Sequence, residues 1–282
     1  MHILDGAFGT LLLQKNVLAP GENTLFANAK APETVAEIHR DYIAAGSDII
    51  CANTFGGSHE LLLGLRAGDT STAEQLIAGG IAIAKKTAGA AAVALDVTTT
   101  GDFLEPHGEM TEQEAAAVYR KLASYSDQCD FVVLETYFDA RELEIALAAF
   151  ADVEKPVIVS MTFDENGRTF AGSSVKEFAE IIARHSYIAA AGINCSLPPK
   201  QITSAALEFA RLAAKPIVLV LNAGMPNSGI TAPDEYAGDL YKLTAEILAS
   251  GKAIFGVGGC CGTTPAHIAA VKNLFTTKGI AE

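Results

Sequence analysis

Two adjacent thiols, Cys260 and Cys261, sit between glycines in the stretch Val257-Gly258-Gly259-Cys260-Cys261-Gly262-Thr263-Thr264-Pro265. The apolar run before them, residues 253–257, reads as a buried strand, and residues 266–275 after them read as a helix. A third thiol, Cys195, closes another strand-like run in Gly192-Ile193-Asn194-Cys195. In α/β proteins chemistry gathers at the carboxyl ends of strands. Thiolates are good zinc ligands, and three protein ligands with one exchangeable position is the pattern of catalytic zinc. A three-thiolate zinc is electron-rich and polarises a carbonyl poorly. It can still hold a substrate thiol as a nucleophilic thiolate, which suits alkyl transfer to sulfur. Adjacent cysteines are unusual in structural zinc knuckles, so spacing leaves a second reading open: a small apolar or vicinal redox pair. Cys51, inside a strand, and Cys129, before one, read as core residues.

The carboxylates are the next candidates. Asp5 precedes the turn Gly6-Ala7, and Glu135 ends an apolar run. An amino acid substrate needs acceptors for its ammonium and donors for its carboxylate. Asp5 and Glu135 can serve the first, and the Gly6-Ala7 amides the second. Taken singly, Asp5 reads more readily as part of a plain turn and Glu135 as a solvated loop carboxylate. A two-carboxylate glycosidase pair would leave the thiols unexplained. His107 reads as a loop residue.

The elements that must position these groups alternate eight times. Strand patterns cover residues 2–5, 48–53, 91–97, 131–135, 157–162, 189–194, 217–222 and 253–257. Helical patterns cover 32–45, 72–88, 111–126, 140–149, 175–183, 199–212, 234–249 and 265–275. Short Val/Ile/Leu/Ala strands are those of a parallel sheet buried on both faces. Thr111 and Glu114 form a capping box, Ser71 or Thr72 is expected to cap the second helix, and Pro32 and Pro265 suit first turns. Eight units in 282 residues, about 35 each, predict a single (β/α)8 TIM barrel over residues 1–282. A doubly wound open sheet is the alternative, and no glycine-rich phosphate loop supports it.

Composition narrows the function. A net charge of −13 with scattered basic residues argues against nucleic acid as a partner. Apolar runs fall short of the roughly 20 residues of a membrane span. The start, Met1-His2-Ile3-Leu4-Asp5, enters a strand pattern without a basic leader, and five cysteines fit a reducing compartment, so a cytoplasmic location is expected.

Taken together, Asp5-Gly6-Ala7-Phe8-Gly9-Thr10, Asn53-Thr54-Phe55-Gly56, Gly192-Ile193-Asn194-Cys195, Asn222-Ala223-Gly224 and the cysteine-pair stretch resemble the homocysteine S-methyltransferase family. The likeness spans the chain in the family's order. It implies a barrel in which Cys195, Cys260 and Cys261 hold Zn2+ and the homocysteine sulfur is the exchangeable ligand. Asn222 matches a substrate-free fourth ligand. Asp5, Gly6, Ala7, Asn53, Thr54 and Glu135 match acceptor-binding positions. Gly262 and Asn222-Ala223-Gly224-Met225-Pro226 resemble the cobalamin-dependent methionine synthase branch. Thr136, where the betaine branch has tyrosine, agrees. With no folate or corrinoid domain in this sequence, the resemblance implies a methylcobamide carried by a separate corrinoid protein. S-methylmethionine, betaine or another onium compound is the alternative donor, and a non-catalytic zinc or redox module is the rival outside methyl transfer. One departure stands out: Asp96-Val97-Thr98-Thr99-Thr100-Gly101 replaces the Gly-Pro-Thr-Gly common in methionine synthase-like members, adding a carboxylate, Asp96.

Overall fold

A computed structural model of the chain describes residues 1–225 and 229–280. The strands of the barrel are β1 (His2–Ile3), β2 (Ile49–Cys51), β3 (Ala92–Val97), β4 (Phe131–Tyr137), β5 (Val157–Met161), β6 (Ile188–Cys195), β7 (Ile217–Leu221) and β8 (Ile254–Gly259). All pair in parallel in the order β1-β8-β7-β6-β5-β4-β3-β2. A bridge between Leu4 and Ile49, with the Asp5 amide donating to Ile49 O, joins β1 to β2 and closes the ring. This is the expected (β/α)8 barrel rather than the open sheet.

Two apolar layers hold it. Leu4, Ile49, Ala94, Val133, Ile158, Ala190 and Val218 point inward and fill the lumen. The opposite faces of the same strands pack against the helices in one continuous outer core. Alternation along buried strands therefore makes a packed centre, not a pore. His2, Phe131 and Phe255 stack edge-on and tilted at the amino end, with centroids 4.9–6.2 Å apart. That plug leaves the carboxyl end as the open face.

The helices follow the expected pattern with additions. The Thr111 capping box is present, and Pro32 and Pro265 occupy first turns. The second expected helix runs Ser71–Thr87. Its N-cap is Thr70 rather than Ser71 or Thr72, and the Ser71 amide is satisfied by Asp69. Helices Gly9–Gln14, Ala27–Lys30 and Gly57–Ala67 were not expected. The first two are too short to show a period. In the third, Gly57 and Gly64 interrupt a pattern that buries Leu61 and Leu62. The expected helix over 111–126 stops at Ala123, and Ser126–Gln128 is a separate 3-10 turn. A hairpin pairs Gly224–Met225 with Gly229–Ile230. Pro226, part of the sequence resemblance, lies outside the described residues.

Candidate active site

The open end gathers the sequence candidates. Cys195 is the last residue of β6, and Cys260 and Cys261 follow β8 directly. Their three sulfurs lie within 4.8 Å of one another, and Cys195 Sγ and Cys261 Sγ are 3.7 Å apart. Zinc–sulfur bonds of about 2.3 Å in a tetrahedron place two ligand sulfurs roughly 3.8 Å apart. The separation is far too long for a disulfide, and all five cysteines are free thiols.

Backbone geometry fixes the thiols. The Cys260 amide donates to Leu221 O at 2.8 Å, and the Ala223 amide to Cys261 O at 2.9 Å, which ties the pair to the end of β7. Tyr236 sets its hydroxyl between Leu221 O and Gly258 O, at 2.9 and 2.8 Å. Gly262 has φ +78°, and a Cβ there would sit 2.3 Å from Gly224 O, so a glycine is required after the pair. Cys195 and Ser196 adopt φ +52° and +60° without being glycines. Such strain is tolerated where the surroundings over-determine it, and it concentrates at functional sites.

The electrostatics of the sulfurs are mutual. The S–H groups of Cys260 and Cys261 hold the Cys195 thiol far below its ordinary range. The sulfur of Cys195 in turn pushes Cys260 and Cys261 upward. Three thiolates at once therefore need a cation among them. Zinc fits this donor set, and one further group agrees. Asn222 is buried, and its side chain helps to hold the Cys195 thiol low. Its Oδ1 has no hydrogen-bond partner among the described residues. A buried, unpaired amide oxygen on a residue that acts on Cys195 suits a fourth ligand.

Beside the thiols lies a cavity of about 190 Å³. Cys260, Cys261, Asp5, Asp96, Glu135 and Phe8 are among its walls, and no Lys, Arg or His lines it among the described residues. Asp5 accepts from the Cys51 amide at 2.9 Å, and burial raises its pKa from 3.8 to about 7. Burial also raises Glu135, from 4.5 to about 8, assisted by the negative charge of Cys195 and Asp5. Burial, then Glu135 and Asp5, push Asp96 well above the carboxylate range.

Other expected residues are placed differently. Asn53 lines the cavity, but its amide N–H groups go to Thr24 O and Asn28 Oδ1, both at 2.8 Å. Thr54 is fully buried and outside the cavity wall; its hydroxyl accepts from the Asp96 amide and donates to Asp96 O, at 3.1 and 2.7 Å. Gly6 and Ala7 line the cavity, yet the Ala7 amide is spent on Thr263 Oγ1 at 3.0 Å. It is therefore not a free donor for a substrate carboxylate. Thr54 instead braces Asp96, which faces the cavity, and the Ala7 amide ties its turn to Thr263.

In the sequence Asn194 stands out only as part of the Gly192-Ile193-Asn194-Cys195 motif. It is fully buried and joins three strand ends: Oδ1 accepts from the Thr136 amide and the Ser160 hydroxyl, both at 2.9 Å. Its Nδ2 donates to Thr136 Oγ1 at 2.7 Å and Glu135 Oε2 at 3.3 Å. A polar residue at the end of an apolar strand, next to Cys195, was the available signal.

Comparison with known proteins agrees with this geometry. Residues 2–275 match the family model described as homocysteine S-methyltransferase. Methionine synthase from Mycobacterium tuberculosis is 28% identical, over 96% of this chain and 24% of its own length. Methionine synthase from Mycobacterium leprae is 28% identical, over 94% of this chain and 23% of its own length. The chain thus spans about a quarter of the length of these relatives. The homocysteine methyltransferase MmuM from Escherichia coli, in its oxidised form, superposes with a TM-score of 0.78 at 22% identity, over 97% of this chain and 96% of that one. Its metallated form gives 0.76 at 22% identity, with the same coverage. At such identity the likeness shows the barrel fold. No helix among the described residues is long and apolar enough to cross a membrane.

Proposed function

The chain belongs to the homocysteine S-methyltransferase family, and on that premise we propose that it methylates the thiol of homocysteine to give methionine in a zinc-dependent reaction. The observation that carries this reading is the meeting of Cys195, Cys260 and Cys261 beside a carboxylate-lined cavity, with Asn222 Oδ1 unpaired next to them. Cys195, Cys260 and Cys261 would hold the ion, and Asn222 Oδ1 the vertex that the acceptor takes over. Zinc, when bound, keeps an incoming thiol in its thiolate form at neutral pH.

The chain's own groups do the rest by positioning. Glu135, steadied by Asn194, and Asp5, steadied by the Cys51 amide, receive the acceptor's ammonium. Phe8, Phe55 and the strand ends exclude water from the sulfur. The sulfur lone pair forms the new S–CH3 bond as the methyl group's bond to its carrier breaks, and that electron pair leaves with the carrier. The cavity is of amino acid size, so a large carrier approaches from the open end. We assign the donor to a methylcorrinoid protein acting in trans, supported by the relatives named methionine synthase. On this reading the chain is one barrel module of a cytoplasmic system.

Zinc-loaded protein, incubated with L-homocysteine and each of methylcobalamin, S-methylmethionine and betaine, tests the reading. Methionine is expected with methylcobalamin. Turnover only with an onium compound overturns the corrinoid assignment, and no methionine from any donor overturns homocysteine methylation.

A further inference from the structure

Asp5 and Glu135 suffice for the reading above, which leaves Asp96 without a role. The residue is held with care. The Thr54 hydroxyl grips its backbone from both sides, and the turn that follows it is anchored by Glu142, which accepts from the Thr100 amide and hydroxyl at 2.8 Å. The Asp96 side chain, 6% exposed, is left bare: it lines the cavity, and Oδ1 has no hydrogen-bond partner among the described residues. A buried carboxyl group that faces a cavity with neither donor nor cation beside it is costly whether it ionises or keeps its proton, and a ligand in that cavity would meet the demand.

That ligand is cationic, because the cavity already holds two other carboxylates and no basic side chain. Asp96 belongs to no three-ligand metal cluster among the described residues. Among the described residues the cysteine cluster alone brings three ligand atoms within 4.8 Å of one another. An organic ammonium, with N–H donors pointing in several directions, fits carboxylates spread around a wall. We infer that Asp96 is a specificity-determining residue that, with Asp5 and Glu135, makes the cavity select a thiol acceptor carrying a protonated amine. This rests on the homocysteine reading and goes beyond it, since it assigns a third carboxyl group of the cavity wall to acceptor choice and not to the donor.

The test uses Asp96→Asn, which keeps the shape and removes the charge. Calorimetric titration of the zinc-loaded wild type and variant would compare L-homocysteine with 4-mercaptobutanoate, the same thiol chain without the amine. The variant should bind homocysteine at least about tenfold more weakly, the scale of one charge-assisted hydrogen bond. It should bind 4-mercaptobutanoate no worse than the wild type does, with zinc still one per chain. Equal weakening for both thiols, or none for homocysteine, overturns the inference while leaving the homocysteine reading intact. A wild type that binds neither thiol overturns that reading and the inference with it. Asp96→Ser serves as a second variant with the same expected pattern.

Discussion

Glu142 and Asp96 serve the same stretch of chain and are treated in opposite ways. Glu142, on the helix Ala140–Ala149, is 1% exposed and receives the hydroxyls of Thr99, Thr100 and Tyr119 and the amide of Thr100. Asp96, at the end of β3, is 6% exposed and has an oxygen that receives nothing. A fold that supplies four donors to one carboxylate can supply them to another. Where an unpaired carboxyl also lines a cavity, a ligand there can meet the demand. Asn222 Oδ1 obeys the same logic beside the cysteines. The closed network holds the loop after β3, whereas the Asp96 carboxyl is left to the cavity it lines.

The comparison is sharpest in stability. Glu142→Ala strands several buried donors and should cost about 3 kcal/mol in urea unfolding. Asp96→Asn replaces a buried acid that keeps its proton and has no partner at Oδ1, and should leave stability unchanged or raise it by about 1 kcal/mol. Equal losses in the two variants would break the distinction. A smaller effect comes from pH. Asp5 and Glu135 hold protons more tightly in the fold, at about 7 and 8, than in the unfolded chain, at 3.8 and 4.5. Their contribution is complete below the unfolded values and is lost as pH rises through the folded ones. Between about pH 6 and 8, above the titration of surface acids, the melting temperature of the acceptor-free protein should fall as pH rises. Saturating L-homocysteine should flatten that slope, because an ammonium favours the ionised carboxylates. A melting temperature that climbs with pH in this window would contradict the assignment of these groups to an uncompensated cavity.

Much of this was legible from residues alone. Val/Ile/Leu/Ala runs at even spacing give strands buried on both faces, and eight of them give the barrel. The thiols and carboxylates at the ends of those runs had to share one rim, because every strand in such a barrel points the same way. Hydrogen-bond partners were not legible. In one dimension Thr54 looks like a cavity group and the Ala7 amide like a free donor, yet each is consumed by a residue far along the chain: Thr54 by Asp96 and the Ala7 amide by Thr263. The role of Asn194 is hidden for the same reason, since it depends on β4 and β5 arriving beside β6. Helices Gly9–Gln14 and Gly57–Ala67 escaped notice because one is shorter than two turns and the other carries glycines.

The central claim is that three cysteines from two strand ends hold one zinc ion with a vertex for the acceptor's sulfur. Zinc X-ray absorption on the loaded protein, before and after L-homocysteine, tests it most directly. Three sulfurs and one lighter oxygen or nitrogen ligand are expected at first, then four sulfurs once the acceptor binds, with zinc lost from Cys195→Ala. A first shell unchanged by homocysteine, or full zinc retained without Cys195, would contradict it.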